Sequence, residues 1–417
     1  MPCVNTYLVV VLCILVADYV RDLVVEFLNV RHLDPKLPSC FEDSYDADRY
    51  ARSQDYLKVN TRFGQLISST TTPLMIIFIL LGGFNLVDDF ARSFDVGPIA
   101  TGLIFSGFLL WGSSLLQIPI RAYHTFVIEE RFGFNRTSVK TFITDLLKGW
   151  LLSAIIGAPV LAAILWFFGA AGGLAWLYCW GALTVFQLVI MFVAPVLIMP
   201  LFNKYEPLEQ GDLRSSIETY AHAQDFKLKG VYRMDGSRRS SKSNAFFTGF
   251  GRFRRIVLFD TLIAQHSTEE LTAVVAHEMG HYKKRHILTF MLVSMATTGL
   301  MFFLLSFFIE NPKLFAAFKM ESTSIYASLF FFSIFYSPIS SVISVAVNIL
   351  SRRHEFEADR YALDTHGHPG AMVTALKKLS VDNMSNLTPH PLKVFLEYSH
   401  PPVIDRIRAI QGDAVEP

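Results

Sequence analysis

The sequence predicts an all-α polytopic membrane protein with seven transmembrane helices and a small α+β domain on one side of the membrane. The composition is the first observation: 52% of the 417 residues are hydrophobic, 37 are Phe and only 18% are charged. Such values are typical of membrane proteins. The second observation is a set of apolar runs long enough to cross a bilayer. The third is an unequal distribution of Lys and Arg among the connecting loops.

The apolar runs that could span a hydrocarbon core lie at residues 5–27, 66–87, 97–119, 147–171, 174–202, 286–309 and 325–350. The first run lacks a small-x-small cleavage pattern, so we expect it to be retained rather than removed as a signal peptide. It also carries Asp18, Arg21 and Asp22 at helical spacing. Two interpretations of these charges stay open. They face the bundle interior or a water-filled cavity, or they mark a helix end that frays near the interface.

Loop charges predict the topology. The loops 28–65, 120–146, 203–285 and 351–417 together contain 32 Lys and Arg residues, whereas the loops 88–96, 172–173 and 310–324 contain 3. Because positively charged loops stay in the cytoplasm, the first set is predicted to be cytoplasmic. An odd number of spans then places the N-terminus outside and the C-terminus inside.

The remaining composition argues against two kinds of function. The net charge of +1 gives no indication of nucleic-acid binding. The cysteines have no paired spacing, so neither a disulfide framework nor a cysteine metal site is expected at Cys3, Cys13, Cys40 and Cys179.

The loop 203–285 is long enough to form the small domain. We predict an amphipathic helix at 207–224 and short strands at 231–234, 243–247 and 255–259. The turn residues Gly249-Phe250-Gly251 would join the last two strands into a hairpin. Basic side chains around this hairpin suit anionic lipid headgroups or structural contacts better than substrate recognition; they are Arg238, Arg239, Lys242, Arg252, Arg254 and Arg255.

The stretch His277-Glu278-Met279-Gly280-His281 has the pattern His-Glu-x-x-His. Four residues make about one helical turn, so both histidines project from the same face and can reach one zinc ion. Glu278 lies beside them, where it can take a proton from the attacking water. A possible capping box formed by Ser267 and Glu270 predicts that a helix begins just before the motif.

A third ligand is available downstream, where carboxylates occur at 355, 357 and 359. Glu355 and Asp359 share a helix face, and Glu357 points nearly the opposite way. We assign Glu355 as the third ligand and Asp359 as the acceptor for the outer N–H of a zinc histidine.

Other histidines fit the metal less well. His286 is expected to lie about 140° around the helix from His281, off the metal face. His354 is expected at the surface or beside the ligands, although a direct ligand role for it stays open.

At these motifs the sequence resembles the integral-membrane zinc metalloproteases of the CAAX prenyl protease 1 type, relatives of the enzymes that process a-factor and prelamin A. The resemblance extends over nearly the whole chain and rests on a set of short motifs: His277-Glu278-x-x-His281, Glu355-x-x-Ala358-Asp359, Ser243-Asn244-Ala245-Phe246, Ser399-His400-Pro401-Pro402 and Arg406. This combination is far more specific than the zinc motif alone.

The resemblance implies a fold in which seven helices enclose a large chamber, with the zinc-protease domain at its cytoplasmic end. It implies that His400 stabilises the oxyanion and that Arg406 fixes neighbouring carboxylates. It also implies that Asn244 and Ala245 lie on a strand that binds substrate backbone. The expected partners are one Zn²⁺ per chain, a peptide or protein substrate that carries a prenyl group in the family, and membrane lipids, with the chain a monomer.

The predicted function is zinc-dependent hydrolysis of peptide bonds, and three alternatives stay open. The first is a membrane quality-control protease of the HtpX type, which shares the zinc motifs but has fewer spans. The others are an inactive scaffold and a transporter, against which the intact ligand set and Glu278 argue.

The short loop 310–324 favours a bacterial inner membrane, with the endoplasmic reticulum as the eukaryotic alternative. The predicted division is 1–202 (five spans), 203–285 (catalytic), 286–350 (two spans) and 351–417 (C-terminal catalytic).

Overall fold

The computed structural model describes residues 5–248 and 254–412, which are mainly helical. Within those residues, six helices are long and apolar enough to cross a membrane: Ala47–Leu80, Pro98–Phe132, Val139–Ala170, Gly172–Phe202, His286–Leu305 and Ile325–His366. Each contains all or most of one of the predicted runs that follow the first. The polytopic helical fold is therefore confirmed.

The first helix, α1 (Thr6–Arg31), falls outside that set because three charged residues interrupt its apolar stretch. It nevertheless runs from one end of the helix bundle to the other. At one end the Asn5 side chain donates a hydrogen bond to the Lys313 carbonyl at 2.9 Å. At the other end the His32 ring packs edge-on against His390, with ring centroids 5.2 Å apart. That α1 is a seventh span remains a prediction, and the path of α1 along the whole bundle favours it.

The charges of α1 find partners inside the bundle. Arg21 lies 3.3 Å from an oxygen of Asp18 and 2.8 Å from one of Asp22, and it donates a hydrogen bond to Ser341 on a neighbouring helix. Arg21 and Asp22 also line a cavity of about 950 Å³. These contacts favour the interpretation that the charges face the bundle interior.

The rest of the membrane half consists of helices α2 (Ala47–Leu80), α3 (Gly83–Arg92), α4 (Pro98–Tyr123), α5 (Glu130–Phe132), α6 (Val139–Leu152), α7 (Ala158–Ala170), α8 (Ala175–Val193) and α9 (Met199–Phe202). The predicted run 66–87 is wrong at its end, since α2 stops at Leu80 and α3 follows as a separate helix. Gly82 makes this break with φ of 75°, a left-handed conformation that glycine adopts at no steric cost.

The domain that follows contains β1 (Tyr205–Pro207), α10 (Asp212–Ala223), β2 (Gly230–Met234), β3 (Ala245–Thr248), β4 (Arg255–Phe259), α11 (Asp260–Gln265) and α12 (Thr268–Lys283). Its four strands form one sheet in the order β1-β2-β4-β3, with β3 at the edge. The antiparallel pairing of β3 with β4 confirms the predicted hairpin; the turn predicted at 249–251 lies outside the described residues. The short strand β1 was not predicted.

Two of the basic residues near the hairpin attach this domain to the membrane helices. Arg239 forms two hydrogen bonds with the carboxylate of Asp145 on α6, at 2.7 and 3.0 Å. Lys242 lies 3.1 Å from a carboxylate oxygen of Glu129. These contacts favour the structural role over substrate recognition for both side chains; Arg252 lies outside the described residues.

The C-terminal part contains α13 (His286–Leu305), α14 (Pro312–Ala317), α15 (Ile325–His366), α16 (Pro369–Asp382), α17 (Pro391–Glu397) and α18 (Val403–Gln411). The predicted span at 325–350 and the predicted helix around Glu355 are one continuous helix of 42 residues, α15. The same rigid element therefore crosses the apolar region and carries Glu355 and Asp359. The tail at 413–417 lies outside the described residues.

Helix α12 has the predicted beginning and a sharp end. The Ser267 hydroxyl accepts a hydrogen bond from the Glu270 N–H at 3.2 Å, and the Glu270 carboxylate accepts one from the Ser267 N–H at 2.8 Å, which confirms the capping box. At the other end Arg285 adopts φ of 61°. This left-handed residue stops α12 and turns the chain directly into α13.

Helices α12 and α15 touch backbone to backbone at Gly280. A Cβ atom at this position would lie only 3.0 Å from the Cα and the carbonyl oxygen of Ala358. Ala358 is itself fully buried. The glycine of the motif therefore lets α15 approach α12 closely enough to align Glu355 with the two motif histidines.

We expect Gly280→Ala to destabilise the protein, because the added methyl group meets backbone atoms that cannot rotate away. Overpacking of this kind typically costs about 1–3 kcal/mol. Gly370→Ala is the matched control, since a Cβ atom there would meet no atom within 4 Å. Thermal unfolding of both variants in detergent checks this. Equal midpoints for Gly280→Ala, Gly370→Ala and the unsubstituted chain would contradict the close contact.

Candidate functional site

Two imidazole rings on one face of α12 start the site. The Nε2 atoms of His277 and His281 lie 3.1 Å apart, as the one-turn spacing of the motif predicts. His277 is 7% exposed, and His281 is partly buried. The two nitrogens point to the same small space.

Glu355 on α15 supplies oxygen atoms to that space. Its Oε1 lies 3.3 Å from His281 Nε2, and its Oε2 lies 3.5 Å from His277 Nε2. A tetrahedral metal ion with bonds of 2.0–2.1 Å holds neighbouring ligand atoms about 3.3–3.4 Å apart. Glu355 Oε2 is buried and meets hydrogen-bond geometry with no described residue, although Arg406 Nη1 lies 3.3 Å from it. The three side chains therefore fit one metal ion with a fourth position open.

The carboxylates around His277 favour a positive charge at its ring. Burial disfavours the charged ring, but the Asp359 carboxylate and then Glu355 outweigh that cost and raise the pKa of His277 to about 9. The same two carboxylates would favour a metal ion at this ring, which binds a metal in its neutral form.

Asp359 and Arg406 support the first histidine. The Asp359 carboxylate lies 2.7 Å from Nδ1 of His277, on the side away from Glu355. Arg406 donates two hydrogen bonds to Asp359, at 2.6 and 2.8 Å, and its Nη1 lies 3.3 Å from Glu355. Burial would lower the pKa of Arg406, yet Asp359 holds it above the ordinary value. Arg406 thus bridges the two carboxylates on α15.

Glu278 and His400 lie next to the three side chains that fit the metal ion. Burial raises the pKa of the Glu278 carboxyl, although the adjacent histidines oppose the shift. No described side chain forms a hydrogen bond with this carboxylate, so it is available to a water molecule. His400 precedes α18 and places its Nε2 3.4 Å from Glu355 Oε1 with its side chain 67% exposed. Ser399 Oγ lies 3.0 Å from the other ring nitrogen.

Asn244 and Ala245 lie where the edge strand β3 begins. The Asn244 side chain is exposed and accepts a hydrogen bond from the Ala245 N–H at 2.8 Å. Ala245 and Phe247 pack against the hydrophobic core that Val275 and Met279 of α12 help to form. The edge of the sheet therefore lies beside the helix that carries the motif.

His286 lies off the metal side of His281, as expected, but its expected place 140° around a continuing helix is wrong, since α12 ends at Lys283. Its Nδ1 lies 3.0 Å from Nδ1 of His281, because α12 ends before it and the turn at Arg285 brings the ring back toward the site. Its Nε2 lies 3.1 Å from the Glu357 carboxylate. His354 is 6% exposed rather than at the surface. The basic run Lys283-Lys284-Arg285 just before an apolar span was the signal for a helix break.

Comparisons with known proteins agree with this arrangement. Residues 26–204 match the family described as CAAX prenyl protease N-terminal, five membrane helices, and residues 207–414 match peptidase family M48. The chain is 39% identical over 309 residues to a CAAX prenyl protease 1 homolog of Arabidopsis thaliana, covering 74% of this chain and 72% of the relative. It is 34% identical to CAAX prenyl protease 1 of Saccharomyces cerevisiae, covering 90% and 89%.

A solved structure is similar over almost the full length. The crystal structure of S. mikatae Ste24p superimposes with a TM-score of 0.92 at 32% identity. The match covers 97% of this chain and 99% of that chain. The similarity therefore includes the membrane helices and the domain with the metal ligands in a single arrangement.

We expect Glu355→Ala to lose most of the bound metal, since two histidines from one helix turn leave the ion without its third protein ligand. Asp364→Ala is the control on the same helix, where the side chain is exposed. Elemental analysis of the purified proteins gives metal per chain. Full metal content in Glu355→Ala would show that the third ligand is another residue.

Proposed function

The chain belongs to peptidase family M48 with a CAAX prenyl protease N-terminal region, and from that membership we propose that it is a zinc endopeptidase for prenylated C-terminal peptides. Membership itself makes it an integral-membrane metalloprotease. The observation that carries the proposal is the triangle of His277, His281 and Glu355, whose atoms lie 3.1–3.5 Å apart. Two imidazoles and one carboxylate are a typical donor set of catalytic zinc.

Zinc bound there would polarise the scissile carbonyl and lower the pKa of water. The residues around it perform the other tasks. Glu278 accepts the proton of the attacking water and then delivers it to the leaving amine. His400 donates a hydrogen bond to the oxyanion that develops on the scissile carbonyl. Arg406 and Asp359 hold the ring of His277 in a fixed orientation.

The substrate proposal rests on the edge strand and on the relatives. Among the described residues, strand β3 is paired with β4 on one side only, so its outer edge can accept an extended peptide as a further strand. We assign Asn244 and Ala245 to this contact. The relatives are named CAAX prenyl proteases, which supports a prenylated peptide as the substrate of this chain. A single chain supplies every residue of the proposed site, which supports a monomer.

The extent of the similarity distinguishes this function from the alternatives. The match to the five-helix N-terminal region covers residues 26–204, and the Ste24p match includes 97% of the chain. This favours the CAAX protease type over the HtpX-type quality-control enzyme, which has fewer spans. An inactive scaffold or a transporter would have no need of Glu278 beside an intact ligand triangle.

We place the metal site on the cytoplasmic side of the membrane. The loops on the side of the site contain 32 Lys and Arg residues and those on the other side contain 3, which favours this orientation. The relatives named above come from eukaryotes, which supports the endoplasmic reticulum over the bacterial inner membrane. We retain the division into 1–202, 203–285, 286–350 and 351–417 as part of this proposal.

We expect Glu278→Gln to keep its metal and its fold, because glutamine preserves shape and polarity but cannot accept the proton. Cleavage of a farnesylated CAAX peptide should slow by roughly 10²–10⁴-fold. Glu269→Gln is the matched control, the same substitution at an exposed position of α12. Metal content, thermal midpoint and rate are measured on one preparation. An unchanged rate would assign the proton transfer to another group, such as His400 or Glu357.

The same assay tests the substrate. Cleavage of the farnesylated peptide well above that of its unmodified counterpart is expected, and equal rates would argue for a general membrane protease.

For the topology, we expect a cysteine at Gln210 to react only from the cytoplasmic side and one at Ser322 only from the opposite side. Both positions are exposed, and the native cysteines are replaced beforehand. Impermeant maleimide labelling of sealed and opened vesicles measures this. Labelling of the two positions in the reverse pattern would invert the orientation.

A further inference from the structure

We propose that His286 and Glu357 form, with His281, a hydrogen-bond chain that positions the second histidine of the metal site. This inference rests on the proposed function, because it assumes that His281 is a metal ligand. His286 and Glu357 touch neither substrate nor metal in this assignment. They act only through the ring of His281.

The atoms determine the direction of every hydrogen bond in the chain. When Nε2 of His281 faces the metal, its neutral ring carries the hydrogen on Nδ1. This Nδ1 lies 3.0 Å from Nδ1 of His286, which must therefore be the acceptor. The hydrogen of His286 is then on Nε2, 3.1 Å from the Glu357 carboxylate. An ionised carboxylate accepts hydrogen bonds and donates none, so Glu357 can be the last acceptor of the chain.

The surroundings hold His286 in place. Its ring is 2% exposed and lies parallel to the ring of His354, with centroids 3.9 Å apart and planes 5° apart. Arg353 Nε donates a hydrogen bond to the other oxygen of Glu357 at 3.1 Å. The turn at Arg285, in which that residue adopts φ of 61°, is what brings the ring against His281. A buried ring that is stacked on one face and hydrogen-bonded at both nitrogens is well suited to orient another ring.

The two zinc histidines are thus supported differently. His277 has its carboxylate directly on Nδ1, from Asp359 at 2.7 Å. His281 obtains its carboxylate through an intervening imidazole. Glu357 does point away from the metal face of α15, as its position in the helix predicts, and His286 spans the resulting distance.

The same group of side chains could be considered a second metal site. His286, His354 and Glu357 each offer a ligand atom, and these atoms lie within 4.8 Å of one another. An imidazole nitrogen binds a metal in the plane of its ring. Rings that are parallel and stacked, as these two are, have no common in-plane point beside their nitrogens. Both nitrogens of His286 also have hydrogen-bond partners. Nδ1 of His354 has none among the described residues, so metal stoichiometry belongs in the test.

The experiment compares zinc affinity by chelator competition in the full-length protein. In His286→Phe the aromatic stack is kept but the acceptor is lost, and we expect a zinc dissociation constant about 10–100-fold higher. In His286→Asn an amide oxygen can replace Nδ1, and most of the affinity should return. Glu357→Leu should weaken binding in the same direction. Its side chain is partly exposed, so folding is preserved and is verified by the thermal midpoint of the metal-free protein.

The cobalt-substituted protein gives a second readout. A change in the visible absorption spectrum of His286→Phe is expected, because the orientation of His281 alters the ligand field, whereas a purely structural role would leave the spectrum unchanged. His354→Phe is the matched control: it keeps the stacked ring and should bind one zinc ion with unchanged affinity. Two ions in the unsubstituted protein and one in His354→Phe would overturn the hydrogen-bond chain in favour of a second metal site.

Failure of this inference differs from failure of the proposed function. If His281→Ala abolishes zinc binding while His286→Phe and Glu357→Leu retain full affinity and the original cobalt spectrum, the hydrogen-bond chain is refuted and the metal site stands. If the unsubstituted protein binds no zinc, the metal assignment itself is overturned and the hydrogen-bond chain with it.

Discussion

The contact between α12 and α15 at Gly280 is the constraint on which the site depends. One helix carries both histidines and the other carries Glu355 and Asp359, so these side chains come together only while the two helices touch. A Cβ atom at Gly280 would be 3.0 Å from the backbone of Ala358. Because interiors are closely packed and transmit small displacements, a change of a few tenths of an ångström here alters both distances from Glu355 to the motif histidines.

The side chains that α12 and α15 bring together carry an excess of negative charge. When all three are ionised, the carboxylates of Glu278, Glu355 and Asp359 carry two more negative charges than the guanidinium of Arg406 balances. Buried charges without compensation are costly, and a divalent ion restores balance. The raised pKa of His277 has the same origin, since a proton also lowers the excess of negative charge.

Structural features that depend only on neighbouring residues were predicted well from the sequence. The capping box at Ser267 and the one-turn spacing of His277 and His281 depend on neighbouring residues alone, and the hairpin of β3 and β4 follows from alternation around a turn. The contact between His281 and His286 was not predicted. The prediction assumed that the helix of the motif continues to His286, whereas the chain turns at Arg285. The strand β1 is only three residues long and contains Pro207, so it carries no periodicity.

The unbroken course of α15 has a consequence for where a substrate can be cut. The predicted span ends near residue 350, and Glu355 follows five residues later on the same helix. At 1.5 Å of rise per residue, Glu355 would lie at most about 7.5 Å beyond the end of that predicted span. An extended peptide covers that height in two or three residues, at roughly 3.3 Å each. On the proposal that the substrate is anchored in the bilayer by a lipid, the bond that is cleaved lies within a few residues of that anchor.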